Sequence, residues 1–171
     1  MNIHPSFTNA RSFTSYQFSR LRMRGLWDVF LAKLSGRNSA LQIFPQQGDH
    51  PNRKLLGVQN IRLNEVIGTL DRNPDFDYKF RPLGRHLLDR WVNAFLNLET
   101  DGWSPILVHK IGDEYYVEDG HHRVSVAQSI GMVFIEAVVW EYSKTCQKMN
   151  DCQQQRYAER NCECKREALT A

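Results

Sequence analysis

No apolar run in this chain can cross a membrane. The longest, Ala137 to Trp140 with its neighbours, falls far short of the roughly 20 residues a spanning helix needs. The four cysteines, at 146, 152, 162 and 164, all lie in the last 26 residues and form no CxxC pair. The usual pairing of zinc ligands is therefore missing, and Cys162-Glu163-Cys164 is too tight for a zinc knuckle. They read as unpaired thiols on a polar tail, with no sign of an oxidising compartment; a cytoplasmic location is the expectation. Internal repeats and low-complexity segments are absent. Acidic residues are scarce at the start. The first forty residues hold six Lys or Arg against Asp28 alone. That stretch lacks the apolar stretch of a secretory signal, and an Arg-rich, acid-poor transit peptide is the less favoured alternative to a basic arm leading into a packed helix.

What is present is ordinary for a globular domain: 171 residues, 42% hydrophobic, 24% charged, net charge +3. That is enough chain for one real core. The mild positive charge permits a nucleic-acid partner without requiring one. Phe13, Tyr16 and Phe18 are interleaved with arginines and could touch nucleic acid. A helix surface with its charges in water is favoured.

Periodicity organises the rest. Met23, Leu26, Trp27, Phe30, Leu31 and Leu34 recur at three- and four-residue steps, one apolar helix face from about Ser19 to Leu34. Ala40 to Phe44 reads as a short strand and Pro45 to Asn52 as a loop. Leu56 to Leu63 reads as a strand, followed by a turn at Glu65-Val66-Ile67-Gly68 that Asn64 caps. Asp71 to Pro82 is a charged loop of the kind that often covers a pocket, although a solvated surface is the more common role. Leu87 to Leu98 marks a second amphipathic helix. Ile106 to Val108 and Tyr115 to Val117 form a hairpin around Gly112-Asp113, and Phe134 to Tyr142 is a β-prone last strand. Trp27, Trp91 and Trp140 lie on apolar faces and are core candidates; Trp103 is either core or a stacking surface for a base. The order predicts an α+β domain with a mixed sheet and flanking helices, preceded by an N-terminal amphipathic helix. Its segments are residues 1–54, a basic arm and helix; 55–142, the domain; and 143–171, a polar tail.

The functional signal is Asp119-Gly120-His121-His122-Arg123-Val124-Ser125, between a strand and a helix. Glycine at such a turn lets a ligand approach the backbone. The free N–H groups opening the helix make an anion site. Arg123 offers a planar fork to phosphate oxygens. His121 and His122 suit phosphate binding or acid–base work near neutral pH; a solvated pair at a helix start is the bland alternative. Adjacent histidines point apart, and no third metal ligand is evident. Asp119 could orient a histidine, hold a nucleotide's magnesium, act as a base, or cap the helix. Glu118 should face the other way. Glu65 reads as a solvated helix start.

Ser104-Pro105-Ile106-Leu107-Val108-His109, the hairpin, and Gly120-His121-His122-Arg123 with Ala127 and Gly131 together resemble the ParB/sulfiredoxin superfamily: ParB-like N-terminal and nuclease domains, sulfiredoxins, and ParB-like free serine kinases. The resemblance covers about residues 56–141. It implies a pocket for nucleotide phosphates, with Gly120, His122, Arg123 and Ser125 against the phosphates and Pro105, Ile106 and Val108 lining the base or ribose side. His121 stands where sulfiredoxins carry the reactive cysteine, so their thiol chemistry is not expected. The same substitutions depart from the ParB turn. The short segment after the last strand does not predict a segregation clamp with its helix-turn-helix domain. The resemblance to the serine kinases places an acid near Glu65. Two functions follow: a magnesium-dependent nucleoside triphosphatase or phosphotransferase acting on ATP or CTP, with Asp119 or His121 in acid–base service, or a non-catalytic regulatory or DNA-binding module. A homodimer is compatible with either.

Overall fold

The computed structural model describes residues 7–45, 53–71, 73–100 and 102–142; the cysteine-containing tail lies outside them. The chain runs α1 (Phe7–Leu34), β1 (Gln42–Ile43), β2 (Arg53–Arg62), β3 (Val66–Thr69), α2 (Leu88–Thr100), β4 (Ile106–Ile111), β5 (Glu114–Asp119), α3 (His121–Ser129) and β6 (Phe134–Tyr142), with 3-10 turns at Leu63–Glu65 and Arg85–Leu87. Six strands form one sheet in the order β1-β3-β5-β4-β6-β2. β1, β3 and β5 run parallel, as do β4 and β6, while the β4–β5 and β2–β6 pairs are antiparallel. The expected α+β architecture, a mixed sheet with flanking helices, is the one adopted.

The two faces of the sheet follow the period of two. Tyr115 and Val117 join Ile106, Val108, Trp91, Val92, Val124 and Val126 in the main core. Tyr116 points the opposite way, into a smaller cluster with Phe44 and Tyr142. Trp91 is fully buried and donates its Nε1–H to Ser125 Oγ at 3.0 Å, which ties α2 to α3. Trp140 is half-buried behind the sheet, with the Arg53 guanidinium 4.9 Å from its ring centre.

Three expectations are corrected. Helix α1 begins at Phe7, a dozen residues earlier than the apolar period suggested. Its first half is held by packing: Phe18 meets Trp91 edge-on at 5.8 Å, Arg11 pairs with Asp89 at 2.8 Å, and buried Thr14 bonds back to Ala10 O at 2.7 Å. The face of α1 that points inward is also different. Phe18, Leu21 and Gly25 pack on the domain, whereas Trp27 stands in solvent. Finally, Val66 to Gly68 is strand, not turn, and Asn64 does not cap the preceding 3-10 turn. Gly68 is needed because a Cβ there would come within 2.2 Å of Gln42 O and 2.7 Å of the Tyr116 ring. Neighbouring backbone, not a turn, requires the glycine.

The loop 73–82 is compact. Its centre is Asp77, fully buried, which accepts bonds from the Lys79 and Arg81 backbone N–H groups at 3.0 and 2.8 Å and from Arg81 Nε at 2.7 Å. Arg81 reaches on to Asp28 of α1 at 2.6 Å. This network fixes Asn73 to Phe76 as one wall of the cleft described next.

Candidate functional site

The turn from β5 into α3 lines an open cleft of about 660 Å³. Gly120 makes the turn with φ at +106°. A Cβ there would lie 2.4 Å from Ile106 Cγ2, so the neighbouring strand β4 approaches this glycine closely, while Gly120 also lines the cleft. Gly120 is the N-cap of α3, and no side chain caps the helix. The first backbone bond of the helix runs from Val124 N to Gly120 O at 3.0 Å. The N–H groups of His121, His122 and Arg123 precede it and remain available at the positive end of the helix.

Arg123 does not present a free fork. Its NH1 donates to Ser104 O at 2.5 Å, Ser104 Oγ at 2.9 Å and Pro105 O at 3.2 Å. Its NH2 donates to Asp119 Oδ2. The guanidinium thus clamps the first turn of α3 to the segment before β4. Asp119 is correspondingly a partner of Arg123, one turn away, and not a helix cap. Ser125 is buried against Trp91, outside the cleft. Ile106 and Val108 are fully buried in the core, and Pro105 contributes its carbonyl to the Arg123 clamp. The wall expected from these three comes instead from Trp103 and Ser104.

The two histidines diverge. His121 Nε2 lies 2.8 Å from Thr69 Oγ1, and its ring stacks on Phe76 at 5.9 Å. The same hydroxyl lies 3.2 Å from Val117 O, so Thr69 bridges the His121 ring to β5, its role toward Nε2 set by the ring's tautomer. Burial lowers the pKa of His121, against the opposing pull of Asp119 and Asp75. His122 packs edge-on against Phe76, and its Nδ1 is buried with no hydrogen-bond partner. Burial, aided by the charge of Arg90, pushes its pKa down to about 4.

A group whose folded pKa lies below its unfolded value of about 6.5 is protonated first in the unfolded chain, so stability is lost as pH falls from about 6.5 toward 4. The wild-type urea midpoint should drop more steeply over that range than that of His122→Gln. Equal slopes would place His122 in water.

Helix α2 supplies the opposite wall. Arg90, Asn93, Ala94 and Asn97 all line the cleft, spaced as one helical face. Arg90 pairs with no carboxylate among the described residues. Asn73, Asp75 and Phe76 close the third side. Arg90, Asn93 and Asn97 were not singled out from sequence. The readable signal was a polar stripe, Arg90-Asn93-Asn97, at helical spacing along the amphipathic helix. Trp103 donates to Ala94 O at 2.7 Å, which fixes the ring at the cleft's edge. Glu118 faces away, bonded to His109 Nε2 at 2.6 Å. Glu65 lies in the 3-10 turn before β3 and is not part of the cleft wall. No group of three or more His, Cys, Asp or Glu side chains suited to a metal ion occurs among the described residues, and no helix among them is long and apolar enough to cross a membrane.

No protein family matches the chain in a scan of family models. A search of curated proteins finds no relative. Among solved structures the chain aligns with sulfiredoxin from Arabidopsis thaliana at 18% identity and a TM-score of 0.35, over 51% of this chain and 88% of that one.

Proposed function

We propose that the cleft binds a nucleotide, with its phosphates at the opening turn of α3. The observation that carries this is the buried, unpartnered Nδ1 of His122 beside three uncapped amides. A buried polar atom without a partner costs roughly 1–3 kcal/mol, and with its proton on Nδ1 the His122 ring donates to a phosphate oxygen that the neighbouring amides also recruit. Arg90 supplies the fixed positive charge that Arg123, committed to Asp119 and Ser104, does not. The volume falls in the range of small-molecule sites. The amides of Asn93 and Asn97 and the Trp103 ring offer hydrogen bonds and a stacking face for the base and sugar. Magnesium usually binds through one or two carboxylates plus substrate phosphates; Asp75 and Asp119 line the same cleft and suit an ion carried in by the nucleotide.

Turnover is the second reading, favoured by one observation: His121 lines the cleft, and burial there lowers its pKa toward the neutral form that a general base requires. Asp119, tied to Arg123, is the weaker candidate.

Calorimetric titration of the full chain with ATP, ADP and CTP, with and without magnesium, tests the proposal. At least one nucleotide should bind saturably, and Arg90→Ala should weaken it about tenfold or more, the loss of one charge-assisted bond. Product analysis of the same samples decides turnover. No heat with any nucleotide would overturn the proposal.

A further inference from the structure

We infer that α1 is the dimerisation helix and that its occupant is a second copy of this chain, packed antiparallel. Helix α1 presents to solvent a face more apolar than the one it buries. Phe13, Tyr16, Met23, Trp27, Phe30, Leu31 and Leu34 are each 50–71% exposed, while the inward face holds Thr14, Phe18, Leu21 and Gly25. Single exposed apolar residues are ordinary, but a contiguous stripe of this size marks an interaction site.

The spacing of the stripe identifies the partner. Positions 13, 16, 20, 23, 27, 30 and 34 advance by alternating steps of three and four, the seam of a helix pair over three heptads. Arg20 is the one charged residue in it. A parallel pair would set Arg20 against its own copy, two like charges in an apolar seam. An antiparallel pair centred on Met23 sets Met23 against its own copy and every other seam residue opposite a different one. Arg20 then faces the partner's Trp27, a cation–π arrangement; Tyr16 faces the partner's Phe30, and Phe13 the partner's Leu34. The seam is its own complement under a two-fold axis, as an isologous interface requires. Taking about 200 Å² for an aromatic side chain, the exposed fractions amount to roughly 700 Å² per protomer, near the ~800 Å² per partner of a standard stable interface. Lys33 and Arg24 flank the seam, while Arg11 and Arg22 turn back onto the domain, toward Asp89 and Leu83 O.

Analytical ultracentrifugation of the full chain should show a dimer. Trp27→Glu, at an exposed position, should leave the circular dichroism of the domain intact and raise the dimer dissociation constant about a hundredfold, as loss of a central aromatic anchor does. Met23→Glu provides a second variant with the same expectation. Orientation is read by spin labels on Lys33→Cys, with Cys146, Cys152, Cys162 and Cys164 changed to Ser. The antiparallel pair separates the labels by about 30 Å, from the 1.5 Å rise per residue, and a parallel pair by about 10 Å. A monomeric full chain overturns the inference, as does a dimer that both glutamate variants leave intact. The short label distance overturns the antiparallel arrangement. A monomer that instead partitions onto vesicles of anionic phospholipid would assign the stripe to a membrane surface.

Discussion

Gly120→Ala is expected to cost about 4 kcal/mol of folding stability, measured by urea denaturation. Two effects add. An L-residue held at φ +106° stores roughly 1–3 kcal/mol of backbone strain. The new Cβ would also stand 2.4 and 2.8 Å from two side-chain atoms of Ile106, and crowding a packed core costs about 1–3 kcal/mol. Ile106 is fully buried on the central strand β4, so the conflict has nowhere to relax except through α3. Gly36→Ala isolates the first effect. That glycine also has positive φ, +66°, but a Cβ there meets nothing within 4 Å, and the expected cost is about 1 kcal/mol. Equal losses in the two variants would show that Ile106 does not crowd the turn. Because the turn carries His121 and His122, a folded fraction of Gly120→Ala should also bind nucleotide poorly.

The second large effect is expected at Asp77. Replacing it with alanine removes the acceptor for two backbone N–H groups and the Arg81 guanidinium at once. Burial alone would lower the pKa of Arg81, and the bonds to Asp77 and Asp28 more than offset it. Breaking a buried pair by removing one partner typically costs about 3–5 kcal/mol, and Asp28, at the surface of α1, compensates only in part. A loss of about 3 kcal/mol is expected, read from the urea midpoint. Phe76, adjacent in the chain, stacks on His121 and meets His122 edge-on; nucleotide affinity should therefore fall at temperatures where the variant is still folded. A loss under about 1 kcal/mol would mean that the loop is held by its other contacts.

The elements that were legible in the sequence are those whose pattern has one physical cause. Phe134 to Tyr142 is dense in β-branched and aromatic residues and forms a strand over that whole span. The hairpin at Gly112-Asp113 and the helix around Trp91 declare themselves in the same way. Helix α1 shows where periodicity misleads. The three- and four-residue spacing of Met23, Trp27 and Phe30 specifies an apolar face but not what covers it, and the domain core took the other side of the helix. Gly68 and Gly120 show a second gap. A glycine needed for close approach of another strand looks the same in sequence as one needed for a turn or a ligand.

At the candidate site, Asp119 to Arg123 line the cleft as a group, while their contacts differ from those expected. Arg123 looked like the phosphate ligand because nothing local reveals that the Ser104 carbonyl folds back onto it. Ser125 looked available because its partner, Trp91, is 34 residues away. Arg90 was overlooked for the converse reason: an arginine on the polar face of an amphipathic helix acquires meaning only when α2 is laid beside α3. The histidine pair kept its importance, with the roles separated. Thr69 holds the His121 ring at Nε2, while His122 keeps a buried nitrogen without a partner.

The central claim is that a phosphate sits on the first-turn amides of α3. Amide NMR spectra of the full chain recorded through an ATP–magnesium titration, repeated with CTP, test it at the atoms involved. The N–H signals of His121, His122 and Arg123 should shift most and in step with one another at saturating nucleotide, with the His122 ring pKa rising above about 4 as its Nδ1 gains an anionic partner. Signals of these three amides that stay fixed, while the nucleotide shifts residues elsewhere or none at all, would contradict the claim.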